Sequence, residues 1–418
     1  MCSDDSFLDA ALSIGHRIAS DAVWHDGRCS WIGAVPEPTV PDRPEYRALG
    51  PSLYGGTAGV GLFLAHLAVA TGEAQIRRTA VGAVRHALSR ATATPSAMNF
   101  YSGSTGIAWT AATTAALLGD EELDAGARAV VGPAHVPDDR LDLLTGAAGA
   151  IVGLLALADT LREPRFVDLA CAAGGQLIAR ATVTRHGRSW ASPRAGYSHH
   201  LCGLSHGAAG IGWALLELFA TTGEDSFRAA ATEAFSYERS WLDPGSGTWP
   251  DLRLAGARRG EPRAFPSPAV ATWCHGEAGI ALTRLRAVAL LGPGAHADDA
   301  EIALETIRRH LAASVPHEIQ DLSLCHGTGG TADVLLCAAD VLCDRWKSVA
   351  GVASDLGLTA LERQWSHVEG WPCGVDGTTP ALFLGTSGIG WFFLRLHEPT
   401  TPSPLAPQIR LTRLSEPA

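Results

Sequence analysis

The chain has 418 residues, enough to bury a large core, and carries 32 basic against 43 acidic side chains, a formal net charge of -11. This acidic excess gives no electrostatic reason to bind nucleic acid or an anionic membrane. Nine cysteines are too sparse for a disulfide scaffold and are expected to be free thiols or metal ligands.

The N-terminus reads MCSDDSFLDAALSIG, which places acidic residues where a secretory signal needs basic ones. No apolar run approaches the roughly 18 residues that a membrane-spanning helix requires. The sequence therefore predicts a cytoplasmic protein without a membrane span.

One short pattern recurs seven times: two glycines three positions apart, small residues between them, and then an apolar or amphipathic run. The first glycines of these copies are Gly56, Gly103, Gly146, Gly207, Gly276, Gly327 and Gly385. Successive copies lie roughly 40 to 70 residues apart, enough for two ordinary helices and their connections. Each copy is therefore predicted to be a helical hairpin.

The runs after the glycines are apolar on most faces, as in VGLFLAHLAVA from Val60 and AIVGLLALADTL from Ala150. A helix that is hydrophobic nearly all round is a buried one. The segments between them, such as AQIRRTAVGAVRHALSRA from Ala74 and DDAEIALETIRRHLAA from Asp298, alternate apolar and charged residues at helical spacing. We therefore expect buried inner helices to alternate with outer helices that have one solvent-exposed face.

Seven such hairpins are predicted to close into an all-α, double-layer α/α toroid that spans residues 1–418 as a single domain. An open array needs polar capping helices, and none is evident at the C-terminus. The helix starts should then crowd around one mouth, where glycine permits close backbone approach. Turn geometry and packing explain the glycines themselves, so function must depend on the residues beside them.

The two positions before the first glycine carry metal-binding residue types in the fourth, fifth and sixth copies only. These pairs are Ser205 and His206, Cys274 and His275, and Cys325 and His326. If equivalent positions meet at one rim, these side chains come within reach of one another. Two thiolates and one imidazole leave the fourth tetrahedral position of a zinc ion open, as in catalytic zinc sites. Spacing alone does not choose among the histidines.

The remaining cysteines lack this placement beside a repeated glycine. They are Cys2, Cys29, Cys171, Cys202, Cys337, Cys343 and Cys373. Cys171, Cys337 and Cys343 lie in helical apolar stretches, where a free cysteine usually serves as a small core residue.

Four segments together resemble the signature of the lanthionine synthetase C-like family: DLLTGAAG, SHGAAGIGWALLEL, TWCHGEAGIAL and SLCHGTGG. Each is weakly specific, but their order and separations make the combination strong. The resemblance extends through all seven copies and so covers nearly the whole chain. It implies a zinc-dependent lanthipeptide cyclase, which adds cysteine thiols to dehydroalanine or dehydrobutyrine residues and so forms lanthionine or methyllanthionine rings in a precursor peptide.

The resemblance also implies site residues. Cys274, Cys325 and His326 stand where the family keeps two thiolate ligands and one imidazole ligand for a single zinc ion. His206 matches the histidine usually given the proton transfer, and Asp142 matches an aspartate placed near it. Its residue type and position alone predict equally well that Asp142 is a carboxylate that accepts hydrogen bonds from backbone N–H groups at the start of a helix.

Two positions depart from the family pattern. His275 stands where members with a CYG segment have tyrosine, and we interpret it either as an outer-shell residue or as an extra acid. Val270 stands where some members have arginine, so an arginine that stabilises the enolate cannot be assumed. The longest interval between copies, from Gly207 to Gly276, is rich in turn residues and is either a solvated loop or part of a peptide-binding wall. Trp249 and Arg253 are the first candidates for peptide contact in it.

The implied partners are a dehydrated precursor peptide and a separate dehydratase, because no segment suggests dehydration chemistry. Two rival functions stay open. The same zinc and His206 could serve intermolecular addition of glutathione to dehydrated residues. Alternatively, the protein could be a non-catalytic peptide-binding scaffold whose zinc is structural.

Overall fold

The computed structural model confirms a mostly helical chain and describes residues 5–35, 45–93, 97–131, 136, 139–192, 199–253, 271–314, 319–342, 346, 349–364, 370–407 and 409. Within these ranges, no helix is long and apolar enough to cross a membrane.

Seven inner helices begin directly after the seven repeated glycines, as predicted. They are α2 (Thr57–Thr71), α4 (Ser104–Leu118), α6 (Ala147–Leu161), α8 (Ala208–Thr222), α10 (Glu277–Leu291), α12 (Thr328–Val341) and α14 (Thr386–His397). Each packs on the next around the circle, and α14 packs on α2. Most of their residues are buried, which is why these runs are apolar on nearly every face.

Seven outer helices cover this inner ring. They are α1 (Asp5–Ser20), α3 (Ala74–Ala93), α5 (Glu121–Val130), α7 (Arg165–Ala179), α9 (Asp225–Arg239), α11 (Ala295–Ser314) and α13 (Gly351–Gln364). Six pack on the inner helix that precedes them, whereas α1 packs on α14. α1 and α14 thus form the seventh hairpin and close the predicted double-layer toroid.

Among the described residues, three short antiparallel β-hairpins lie beside the helical layers. They pair β1 (Val23–His25) with β2 (Arg28–Ser30), β3 (Ile32–Val35) with β4 (Glu45–Ala48), and β5 (Thr182–Thr184) with β6 (Gly187–Ser189). β2 lies against α3 and β6 against α9, so the first and third hairpins pack on the outer layer.

The second glycine of each copy is required because no side chain would fit at its position. A Cβ at that position would lie 1.6 to 2.1 Å from the carbonyl oxygen of the residue six positions earlier, at Gly59, Gly106, Gly149, Gly210, Gly279, Gly330 and Gly388. No side chain fits at that distance. The turn before each inner helix can therefore fold back onto the helix only where glycine stands.

Hydrogen bonds join these turns into a ring. The backbone bonds run from Tyr54 N to Tyr101 O, Leu144 N to Ser205 O, Ser205 N to Cys274 O, Trp273 N to Cys325 O, Cys325 N to Phe383 O, and Phe383 N to Tyr54 O. Between the second and third copies, Ser102 Oγ donates to the Leu144 carbonyl at 2.8 Å. Equivalent positions of all seven copies therefore meet at one rim.

The segment after α14 packs against the inner helices. Leu405 is fully buried, and its carbonyl oxygen accepts a hydrogen bond from the Tyr101 phenol at 2.9 Å. Trp391 and Arg395 of α14 donate to carbonyl oxygens of the same segment. This part of the chain is therefore a component of the core.

Candidate metal centre and acid–base site

The ring brings Cys274, Cys325 and His326 together from the fifth and sixth copies. Their ligand atoms all lie within 4.8 Å of one another, and they form the single group of three or more potential metal ligands among the described residues. Both cysteines are buried, whereas His326 is exposed at the mouth. Two sulfurs and one imidazole nitrogen are a donor set that suits zinc, so the three residues fit the implied metal.

The three groups already stabilise a thiolate. Nδ1 of His326 lies 3.6 Å from Sγ of Cys274. A hydrogen bond from the Cys325 thiol, helped by His326, lowers the pKa of Cys274 to about 3. Burial, together with the neighbouring Cys274 sulfur, raises the pKa of Cys325. These surroundings favour an anionic Cys274 sulfur, which is the form that a metal ligand requires.

A threonine hydroxyl lies beside one of these sulfurs, with Thr272 Oγ1 3.6 Å from Cys274 Sγ. The Tyr54 phenol lowers the pKa of the Cys325 thiol, against the larger effect of burial. Tyr54 comes from the first copy, at the position equivalent to Cys274 and Cys325. Sequence reasoning did not assign it a role, although the repeat register placed it on the same rim.

His206 and Asp142 are in direct contact, with His206 Nδ1 3.0 Å from Asp142 Oδ2. The other carboxylate oxygen, Oδ1, accepts the Thr145 backbone N–H at 2.6 Å. One oxygen of Asp142 therefore stabilises the turn before α6 without capping the helix, whose N-cap is Gly146, and the other oxygen contacts the imidazole. With Nδ1 engaged, Nε2 is the His206 nitrogen left for proton transfer.

His275 is buried, at 8% exposure, and its ring centroid lies 5.5 Å from that of His206. Burial lowers the pKa of His275 to about 4, against the opposing effect of the Cys274 thiolate. Its imidazole is therefore neutral near pH 7. That state favours a supporting role beside His206 over a role as an extra acid.

Trp249 belongs to the core, since it is only 5% exposed. Its indole N–H donates to the Glu238 carbonyl at 3.0 Å, and its backbone N–H donates to Glu277 Oε1 at 3.1 Å. Glu277 is fully buried at the start of α10, and burial raises its pKa to about 7. Trp249 therefore anchors its segment and offers little surface to a peptide.

Arg253, by contrast, lies on the same segment with its side chain partly exposed. Its guanidinium forms a two-pronged ion pair with Asp251, at 2.9 Å from Nε to Oδ1 and 2.6 Å from Nη2 to Oδ2. The arginine side chain is 36% exposed and the aspartate side chain 4%. Its charge acts on both His275 and His326. The next stretch, 254–270, which includes Val270, lies outside the described residues.

The structural comparisons agree with the toroid. Nisin cyclase is 16% identical with a TM-score of 0.63, covering 85% of this chain and 90% of that chain. A structure described as UGL_D88N/dGlcA-Glc-Rha-Glc is 15% identical with a TM-score of 0.51, covering 98% and 100%. At such identities the likeness shows the fold alone, and it confirms the predicted toroid.

In sequence, no curated protein matches the chain. The family model for lanthionine synthetase C-like protein matches residues 47–411, most of the chain and all seven glycine copies. The resemblance carried by the four sequence segments is thereby confirmed, and this chain belongs to the lanthionine synthetase C-like family.

Proposed function

We propose that the protein is a zinc-dependent lanthipeptide cyclase, which closes thioether rings by adding cysteine thiols to dehydroalanine or dehydrobutyrine in a precursor peptide. The observation that supports this proposal best is the convergence of two chemical groups on one rim. A Cys274, Cys325 and His326 cluster lies on the same rim as the paired His206 and Asp142.

Cys274, Cys325 and His326 would hold the zinc ion, one per chain. Bound there, the ion would lower the pKa of a substrate thiol while its two thiolate ligands keep that sulfur electron-rich. The exposed edge of His326 faces the mouth, so the peptide has access to this part of the rim.

The proton balance of the reaction needs a group that both accepts and donates. The substrate sulfur bonds to the β-carbon of the dehydrated residue, and the displaced π electrons form an enolate on the adjacent carbonyl oxygen. The α-carbon then takes up one proton, and the thiol has given up one, so a single group can carry it between them. His206, held through Nδ1 by Asp142, is assigned this transfer at Nε2.

The enolate oxygen needs a nearby positive charge. The Arg253 guanidinium is permanently charged and is held by Asp251, whose side chain is almost completely buried. We assign Arg253 to the developing oxyanion, since prearranged charge at that point stabilises the transition state. His275, neutral and packed beside His206, is assigned to support the orientation of that imidazole.

The substrate must be dehydrated before it arrives, so a separate dehydratase is the expected partner, and we expect both to work in the cytoplasm. Two rivals use the same site. Glutathione could be the thiol donor in an intermolecular addition, or the metal cluster could be structural within a peptide-binding scaffold.

One experiment separates these functions. Protein purified without added zinc is analysed for metal and incubated with a dehydrated peptide that contains cysteine, then with a cysteine-free dehydrated peptide plus glutathione. Cyclisation leaves the peptide mass unchanged, so remaining thiols are alkylated and counted by mass.

We expect about one zinc per chain and loss of peptide thiols above the non-enzymatic rate. The double variant Cys274→Ala plus Cys325→Ala should lose both. Zinc retained by that variant would refute the ligand assignment. A mass gain of glutathione alone would favour intermolecular addition, and tight peptide binding with unchanged thiols would favour the scaffold.

A further inference from the structure

The turn that carries His206 lacks a local cap that four other turns have. In those four copies, the side chain at the fourth position before the first glycine accepts the backbone N–H three residues later. The bonds run from Gly55 to Ser52, from Ser102 to Asn99, from Thr145 to Asp142 and from His275 to Thr272, at 2.6 to 3.4 Å. In the fourth copy this position is Gly203, and the residue three later is His206 itself. Glycine has no side chain that could be the acceptor.

Two further copies hold this position through its own backbone N–H, which donates to a side chain two residues earlier. The acceptors are Asp321 Oδ1 for Ser323, at 2.7 Å, and Thr379 Oγ1 for Ala381, at 3.4 Å. In the fourth copy the residue two earlier is Leu201, whose apolar side chain accepts no hydrogen bond. The Gly203 N–H donates instead to Glu238 Oε1 at 2.7 Å, 35 residues further along the chain. The acceptor for the His206 turn therefore comes from the outer helix α9.

Both oxygens of the Glu238 carboxylate have a partner. Oε2 accepts a hydrogen bond from Arg284 Nη2 at 2.8 Å, and the two side chains are fully buried. Nε of Arg284 lies 3.4 Å from Asp299 Oδ2, so the guanidinium is also tied to α11. Because a buried charge that loses its partner is strongly destabilised, this arrangement fixes the Glu238 side chain. The acceptor for the Gly203 N–H is thus held in place by two further helices.

Gly203 lies directly against the turn of the fifth copy. Its φ of +92° is a conformation that favours glycine. A Cβ at this position would lie 3.0 Å from His275 Cα and 3.3 Å from the Cys274 carbonyl oxygen. Two residues later, the Ser205 N–H donates to that same carbonyl at 2.9 Å. The position of Gly203 therefore determines how the His206 turn packs against the turn that carries Cys274.

We infer that Glu238 is a positioning residue for His206: its carboxylate, fixed by Arg284, holds the Gly203 N–H and so places the turn from which His206 reaches Asp142. This inference rests on the proposed function, in which His206 transfers the proton. A displacement of about 1 Å caused by a distant mutation can lower a rate by about 10²-fold. Loss of this support should therefore lower kcat, whereas KM should not change because Glu238 is buried away from the substrate.

The test compares Glu238→Gln with Asp333→Asn, because Asp333 is also a fully buried carboxylate with two partners. One of its oxygens accepts from Arg395 and the other from the Ser403 hydroxyl, on α14 and in the C-terminal segment. Each variant removes one charge from a buried ion pair and keeps the side-chain shape. A glutamine has one carboxamide oxygen, and the charged guanidinium binds it more strongly, so the amide NH2 group is left facing the Gly203 N–H.

Thiol alkylation gives kcat and KM, metal analysis gives the zinc content, and urea unfolding gives the stability. We expect Glu238→Gln to lose about 10- to 100-fold in kcat, with KM and zinc content unchanged. Asp333→Asn should lower the urea midpoint and keep the wild-type kcat. An unchanged kcat in Glu238→Gln, a rise in its KM alone, or an equal loss of kcat in both variants would overturn the inference.

Hydrogen exchange tests the same contact without a cyclisation assay. The Gly203 amide should exchange slowly in the wild type, because its N–H is buried and hydrogen-bonded, and faster in Glu238→Gln. Mass spectrometry of the segment 201–207 with fragmentation to single residues measures both rates. Fast exchange of Gly203 in the wild type would overturn the inference even if Glu238→Gln failed to fold. A wild type that forms no thioether would overturn the proposed function, and the exchange rates would still decide whether Glu238 holds this turn.

Discussion

Six of the seven copies on the rim of the toroid form two arcs, which share one backbone arrangement and differ in their side chains. The third copy, with Leu144 at the corresponding position, belongs to neither. Copies four, five and six carry His206, Cys274, Cys325 and His326, and we call them the ligating arc. The aromatic arc is formed by Phe383, Tyr54 and Tyr101 at the corresponding position of copies seven, one and two. Both arcs have the same glycine-dependent turn and the same ring of hydrogen bonds.

The two arcs meet through aromatic contacts. Trp273, directly before Cys274, lies 4.9 Å from Phe383 and 5.2 Å from Tyr101, ring centroid to ring centroid. The aromatic arc therefore forms an apolar wall behind the sulfurs, where electrostatic interactions are stronger than in water. The turn is therefore structural in every copy, and a few side chains distinguish the arc to which we assign the chemistry.

The largest expected effect separates the arcs by activity. His206→Ala should keep its zinc yet lose about 10²- to 10⁴-fold in cyclisation rate, because His206 is assigned to proton transfer. The matched control is Ser102→Ala, at the equivalent position of the second copy, where hydrogen bonds to the Leu144 carbonyl and to Asn99 Oδ1 are lost. That control should stay near the wild-type rate in the thiol-alkylation assay.

Loss of zinc from His206→Ala would show that His206 is a ligand or supports one, and the division of roles between His206 and His326 would be wrong. Retained zinc with an unaltered rate would instead point to His275 or Asp142 as the proton-transfer group. Either result would change the roles assigned to residues of the ligating arc, and neither would alter the ring of backbone hydrogen bonds.

The second prediction concerns what the arcs have in common. Gly279→Ala in the ligating arc and Gly388→Ala in the aromatic arc each place a Cβ 2.1 Å from a backbone carbonyl oxygen. Both should lower the free energy of unfolding by about 1 to 3 kcal/mol or more, because the backbone must move. Gly55→Ala is the control, since nothing lies within 4 Å of its added Cβ.

Urea unfolding of the three variants measures these differences directly. If only the Gly279 variant were destabilised, the turn would not be equivalent in the two arcs. A Gly55 variant as unstable as the others would show that steric contact with the carbonyl is not the cause.

Much of the ring could be predicted because its cause is local. The repeated glycines, the apolar inner helices and the half-polar outer helices each leave a periodic pattern in the sequence. The pairing of α1 with α14 leaves none, because α1 lacks the glycine pattern and its partner is at the opposite end of the chain. The sequence predicted that the toroid closes, but it did not predict that α1 is the outer helix that completes it.

The site shows the same limit. Their equivalent positions in the repeat predicted that Cys274, Cys325 and the histidines lie close together. Only the family resemblance selected His326 as the third metal ligand. The roles of Trp249 and Arg253 depend on which way each side chain points. The sequence could not reveal that the Trp249 side chain is buried in the core while that of Arg253 stays partly exposed.

The third prediction tests Arg253 against an arginine outside both arcs. Arg253→Gln should reduce kcat/KM for cyclisation about 10-fold, less than the loss of a fully buried oxyanion donor because the guanidinium is partly exposed. Arg228→Gln is the control, since Arg228 forms an exposed ion pair with Asp225 on α9. Equal rates for the two variants would remove Arg253 from the mechanism, and lost zinc in Arg253→Gln would make it a structural residue.

The smallest expected effect belongs to the inner layer beneath the aromatic arc. His66 of α2 packs against Trp391 of α14, with ring centroids 4.8 Å apart, and burial lowers the pKa of His66 to about 4. In the unfolded chain this imidazole takes up a proton near its ordinary pKa of about 6.5. The stability that His66 contributes is therefore present above about pH 6.5 and is lost as pH falls toward 4. His66→Gln has no imidazole to protonate, so its free energy of unfolding should fall less between pH 7.5 and 5.5 than that of the wild type, by about 1 kcal/mol. Urea unfolding of both proteins at the two pH values gives this double difference, in which the other histidines cancel. A wild type and a His66→Gln variant with the same pH dependence would show that the α2–α14 contact, where the toroid closes, accommodates the charged ring.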